Sequence, residues 1–213
     1  MSVSQTYSVT VLRVAGCGLA IIATACASAG SRTSSAWSVT ALGDSTDARF
    51  VAVGEAMEFW NAQLADIGLT LRFGTLASSS VRLPESVLRE LSEGVQQRRR
   101  LQLPRALDGI PGAVIVAFSA SDLISVGINP QRFGRGVVVL RRGDVPPLSL
   151  PNVSRNVAAH ELGHVLGLDH NTDPRTLMCG RPAECRPAQF RSSGKVFFPL
   201  TPTERRLLAS RLR

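Results

Sequence analysis

The sequence predicts a mixed α/β domain, and three observations predict it. Between Asp47 and about Leu64, Phe50, Val53, Met57, Trp60 and Leu64 recur at helical spacing, the pattern of a long amphipathic helix lying on a core. Residues 113–118 (AVIVAF) form a continuous apolar run, as expected of a central strand covered on both faces. Thr201-Pro202-Thr203-Glu204 spells a capping box with proline at the first helical position, so a last helix starts at Pro202 and runs to the C-terminus.

The other elements follow in order. Residues 36–41 (AWSVTA) can form a short first strand, and residues 69–73 (LTLRF) alternate as a strand after the Gly68 turn. A weaker amphipathic helix is expected over 84–101, with Val87, Leu88, Leu91 and Val95 on one side. Residues 134–140 (GRGVVVL) form another strand, opened by glycines and closed by Arg141-Arg142-Gly143-Asp144. Pro146, Pro147 and Pro151 stiffen the loop before a helix over about 152–166. The predicted order is β-α-β-(α)-β-β-α-loop-α.

At 213 residues the chain has room for one domain of ordinary size. Its 44% hydrophobic and 19% charged content is globular, neither disordered nor membrane-spanning. Residues 1–25 read as an export leader: Arg13 precedes an apolar run over 14–25 that is shorter than the ~20 residues of a spanning helix. Small residues follow, and Cys26 sits where a bacterial lipoprotein signal places its lipid-modified cysteine, although Ala23 stands where that pattern favours leucine. Lipidation at Cys26, with membrane attachment, and simple secretion are both open. Either makes the protein extracytoplasmic. Residues 26–36 form a Ser/Ala/Gly-rich lead-in, and 37–213 the folded domain. Cys179 and Cys185 remain beyond the leader, with five residues between them in a Gly/Pro-containing loop; in an exported protein that suggests a disulfide.

The formal net charge is +8, about +7 once Arg13 leaves with the leader, and Lys195 is the lone lysine. The clusters Arg98-Arg99-Arg100, Arg141-Arg142 and Arg205-Arg206 lack the interleaved aromatics of a single-strand nucleic-acid binder, so no nucleic acid is expected. Solvated faces, attracted to an anionic cell surface, explain them more simply.

The chemistry is concentrated in residues 160–170, His-Glu-Leu-Gly-His-Val-Leu-Gly-Leu-Asp-His. His160 and His164, four apart, project from one helical face and can share a zinc ion at roughly 2.0–2.1 Å. Glu161 lies one residue on, within reach of the attacking water without being a ligand. Gly167 can adopt a left-handed conformation and stop the helix, letting His170 return as third ligand and leaving the fourth position open, as a catalytic zinc requires. Average residue usage gives this spacing a chance of about one in a hundred thousand chains. All three histidines of the protein belong to it. Satisfied histidines on an ordinary core helix are the competing explanation, and a poor one.

The stretch 160–178 (HELGHVLGLDHNTDPRTLM) resembles the signature of the metzincin metalloproteases, and its short Asp/Pro-containing link is most similar to the matrixin branch. The resemblance implies a mixed, mostly parallel twisted sheet with a long N-terminal helix, a zinc-binding active-site helix and a C-terminal helix after a methionine turn. It implies that Met178 forms an apolar floor beneath one catalytic zinc, with Glu161 as general base of a monomeric endopeptidase. It also implies an extended peptide substrate pairing with an edge strand, for which residues 136–140 are the candidate. The loop after Met178, carrying Cys179 and Cys185, would line the pocket beyond the cut bond. Asp169 could orient a ligand or stand in solvent. No histidine remains for a structural zinc, acidic residues are too scattered to settle calcium, and no inhibitory prodomain cysteine precedes the first strand. Tyr7 lies in the leader, so the tyrosine ligand of astacin-like relatives is excluded. Residues 76–110 exceed what a minimal matrixin needs. A zinc-retaining, inactive binding protein and a hydrolase of cell-wall peptides are the alternatives.

Overall fold

The computed structural model describes residues 35–180 and 192–212. The leader, Cys26 and Cys185 lie outside the described residues. The elements are β1 (Ala36–Leu42), α1 (Ala48–Asp66), β2 (Arg72–Ser79), α2 (Glu85–Gln96), β3 (Val114–Phe118), β4 (Val126–Ile128), β5 (Gly136–Leu140), α3 (Pro151–Val165) and α4 (Pro202–Arg211). No described helix is long and apolar enough to cross a membrane.

The five strands form one sheet in the order β2-β1-β3-β5-β4. The first four run parallel, and β4 pairs antiparallel with β5. The predicted mixed, mostly parallel sheet is therefore borne out, with the apolar run at its centre.

Alternation along the inner strands divides the core into two layers. Val39, Ala41, Val114, Val116, Val138 and Leu140 face α1, α3 and Met178. Ile115, Ala117, Val137 and Val139 face the opposite way, onto Leu88 and Leu91 of α2 and onto Leu101, Leu107 and Ile110. The long segment noted over 76–110 thus contributes β2 and an apolar cover for the sheet's second face. Without that cover the second face of a largely parallel sheet would be wet.

Several element ends differ from expectation. The ladder of β2 starts at Arg72, although Leu69 and Leu71 are buried just before it. Helix α2 ends at Gln96 rather than continuing to 101. Arg98 takes φ 53°, and the bonds Arg99 N to Gly94 O (2.9 Å) and Arg98 N to Val95 O (3.0 Å) close a Schellman-type stop.

The edge-strand expectation is corrected. Residues 136–140 are paired on both sides, by β3 and by β4, and all five are buried. The edge on that side of the sheet is β4, a three-residue strand that the sequence pattern does not announce.

Arg49 closes the carboxyl end of the sheet. Its guanidinium donates to Ser119 O at 2.6 Å and Arg141 O at 2.9 Å, capping the ends of β3 and β5, while Asp47 holds it from the other side. Asp47 is also the N-cap of α1, accepting from Arg49 N at 2.8 Å.

Candidate active site

Helix α3 begins without a side-chain cap, with Pro151 in its first turn, and is held along its length instead. Asn152 donates to Ser192 O (2.8 Å) and Gly194 O (3.0 Å), and Asn156 donates to Val196 O (2.7 Å) and accepts from Phe198 N (2.9 Å). These two buried amides, one helical turn apart, fasten the returning chain 192–198 alongside the helix. On the opposite flank Trp60 of α1 donates to Ala159 O at 2.8 Å. His160 and His164 continue the four-residue spacing of the asparagines, so the helix presents two amides and then two imidazoles.

Gly167 ends α3 as expected, with φ 89°. Leu168 N bonds to Gly163 O and Gly167 N to His164 O, both at 3.0 Å, which is a Schellman closure with glycine at its left-handed position. The chain reverses there and delivers His170 back over the helix.

The structure brings the three histidines together. His160 Nε2 and His164 Nε2 each lie 3.0 Å from His170 Nε2, and 3.2 Å from one another. A triangle of that size has a point about 2 Å from every corner, the usual zinc–imidazole distance. The opposite nitrogens show which tautomers are present. His160 Nδ1 sits 2.8 Å from Leu177 O and His164 Nδ1 sits 2.7 Å from Leu168 O. Carbonyls only accept, so both Nδ1 atoms carry protons and both Nε2 atoms turn bare lone pairs inward. At most His170 can offer an N–H, which leaves the His160–His164 pair lone pair against lone pair. A cation relieves that repulsion, so the donor set fits a metal.

Electrostatics favour the same state. Burial pushes His164 below the ordinary histidine value, against the Leu168 carbonyl's hydrogen bond, which pulls the other way. Burial also lowers His170, opposed by the charge of Asp169. Both therefore stay neutral, and able to donate a lone pair, to lower pH than a free imidazole. Asp169 itself lies exposed, and its effect on His164 and His170 is one of charge.

Glu161 follows His160 on the same helix and is only 5% exposed. Met178 is fully buried, with its sulfur against α3 at Gly163, where a Cβ would come within 2.5 Å of Sδ. The methionine thus packs closely against α3, next to His164 in sequence at Gly163, and a side chain at 163 would disturb that packing.

Three contacts around the site were not legible in the motif. Gly127 of β4 faces α3, and a Cβ there would stand 2.1 Å from Glu161 O and 2.9 Å from His164 Cβ. The edge strand therefore lies directly against the histidine helix because it has no side chain at that position. Gly180 packs on His170, where a Cβ would meet its Cβ and Cγ at 3.2 Å. Asn156 and Asn152 are the third; only their spacing of four could have pointed to them.

The expected Cys179–Cys185 bridge is not seen, and Cys185 lies outside the described residues. Cys179 is a buried free thiol whose Sγ lies 3.2 Å from Gly180 O as donor, and Asn171 pairs with it in a parallel bridge. The close turn from Met178 to Gly180 turns that sulfur inward.

The matrixin family model matches residues 149–192, which span α3, the turn at Gly167 and the methionine loop. No curated protein matches in sequence. Among solved structures, the crystal structure of archaemetzincin from Methanopyrus kandleri aligns with a TM-score of 0.50 at 16% identity, covering 84% of this chain and 96% of that one. The fold is metzincin-like. Within that fold the matched segment is the part that carries the histidines, and the two comparisons together support a zinc metallopeptidase.

Proposed function

We propose that this chain is a matrixin-like zinc endopeptidase in which His160, His164 and His170 hold one zinc ion and Glu161 is the general base. The observation that carries the reading is the convergence of three Nε2 atoms within 3.2 Å, two of them bared by carbonyls at their Nδ1 atoms. Zinc in that position supplies Lewis acidity, polarising a scissile carbonyl and acidifying water.

The protein supplies the rest. Glu161 takes a proton from the attacking water and passes it to the departing amine. The β4 edge, seated against α3 by Gly127, takes the extended peptide as an added strand, the role first sought at 136–140. Met178 keeps the underside of the site apolar, which preserves the geometry of the histidines above it. Export through the leader over 1–25 places the enzyme outside the cytoplasm, either free or lipid-anchored at Cys26, acting as a monomer on peptide or protein substrates.

The decisive variant is Glu161→Gln. Peptide hydrolysis should fall by about a hundred- to ten-thousand-fold while bound zinc stays at the wild-type level. Substantial activity in that variant would remove Glu161 from the mechanism.

A further inference from the structure

Helix α4 lies away from the histidines in sequence, yet it grips the segment that carries the third of them at two points. Glu204 is only 6% exposed and both its carboxylate oxygens are engaged. Oε2 accepts from Thr201 N at 2.7 Å, completing the capping box. Oε1 accepts from Asn171 Nδ2 at 2.6 Å, and Asn171 directly follows His170. At the other end of the helix Arg211 Nη1 donates to Gly167 O at 2.5 Å, on the turn that precedes His170. Residues 167–171 are thus held at both ends by one helix.

Asn171 is locked in a single orientation. Its Oδ1 accepts from Asp173 N at 2.8 Å, so the amide cannot flip, and its Nδ2 must point to Thr176 Oγ1 (2.8 Å) and Glu204. The backbone on either side is fixed by Asn171 N to Met178 O at 2.8 Å and Gly180 N to Asn171 O at 2.9 Å. His170 is the one ligand that does not sit on α3, and among the described residues no carbonyl is bonded to its Nδ1. Its position therefore depends on this loop network rather than on a helix.

We infer that α4 is a positioning element for the metal site: Glu204 through Asn171, and Arg211 through the Gly167 carbonyl, set the place of His170. Neither residue touches the metal. The inference rests on the zinc reading of the three histidines. It adds that zinc retention is controlled from the C-terminal helix, so that loosening α4 releases zinc without altering any ligand.

The test exploits donor–acceptor matching. Glu204→Gln keeps an oxygen for Thr201 N, so the capping box survives, but it turns an NH2 group toward the Asn171 NH2 group. Asn171→Asp sets carboxylate against carboxylate. The double variant Asn171→Asp/Glu204→Gln restores one donor facing one acceptor. The readouts are the rate of zinc release to excess chelator and the visible absorption of the cobalt-substituted protein, with melting of the zinc-free protein recorded alongside. Glu204→Gln should release zinc about tenfold faster with an altered cobalt spectrum, and the double variant should return to within about twofold of wild type. Arg211→Ala, at an exposed side chain that does not threaten folding, should release zinc about threefold faster. Wild-type release rates in both Glu204→Gln and Arg211→Ala overturn the inference, as does a double variant no better than the worse single. A wild-type protein that takes up neither zinc nor cobalt overturns the zinc reading itself, a result distinct from these.

Discussion

At the scale of single residues, the three histidines differ in how they are held, and their substitution should show it. His160 and His164 are fixed by the helix and by carbonyls at 2.8 and 2.7 Å, whereas His170 is fixed by its loop. His170→Ala leaves two ligands, so zinc measured after gel filtration should fall from one ion per chain toward none while the helical circular dichroism is kept. Retention of one tightly bound zinc would exclude His170 as a ligand. Protons compete with the metal for the same lone pairs. Because burial holds His164 and His170 below the ordinary value of about 6.5, the competition starts at lower pH than for free imidazole. Zinc occupancy should therefore fall at lower pH than for free imidazole ligands, and half-loss at pH 6.5 or above would contradict the assigned burial. The motif made these residues legible because its chemistry is local: ligand spacing of four, a glycine stop and a third histidine need no knowledge of the fold. The free state of Cys179 was not legible, since two cysteines six apart say nothing of which way each sulfur turns.

At the scale of elements, the long helices and the central strands could be read because their burial is continuous or periodic over many residues. β4 could not. A three-residue strand reading Val-Gly-Ile carries too little pattern, and the richer run over 136–140 drew the edge assignment to itself. What marks β4 is the absence of a side chain at Gly127, and that absence acquires meaning only when α3 is seen beside it. Gly127→Ala places a methyl group 2.1 Å from the Glu161 carbonyl, a backbone atom that cannot step aside without moving the helix. We expect a loss of about 2–3 kcal/mol in urea unfolding and a larger loss of activity than of stability, because the displaced element is the histidine helix. Unchanged stability would show that β4 does not lie against α3. Gly163→Ala should be milder in stability, because its closest contact is the flexible Met178 side chain at 2.5 Å, with the Trp60 ring next at 3.1 Å, and neither is backbone.

For the molecule as a whole, two apolar layers cover the sheet, and α2 with the segment to Ile110 supplies the hydrocarbon on one face. The histidine layer is tied together by charge as well. Glu55 of α1 bonds Arg155 of α3 at 2.8 Å and Lys195 of the returning chain at 3.1 Å. Burial raises its pKa, but the hydrogen bonds from Arg155 and Lys195 outweigh burial and hold it below the ordinary glutamate value. A carboxylate lowered in the folded state adds stability above the unfolded value of about 4.3 and loses it as pH falls toward the folded one. Glu55→Gln should therefore lower the melting temperature at pH 7 and flatten its decline below about pH 4.5; an unchanged acid limb would show that this cluster does not contribute. The matrixin match covers the histidine segment and the structural likeness covers most of the chain, so the proposal that joins them stands or falls on metal-dependent peptide hydrolysis. The most direct measurement follows cleavage of casein by the purified protein before chelation, after removal of metal, and after return of one equivalent of zinc. Activity should vanish on chelation and reappear with zinc; cleavage that continues after the metal is gone would contradict the account.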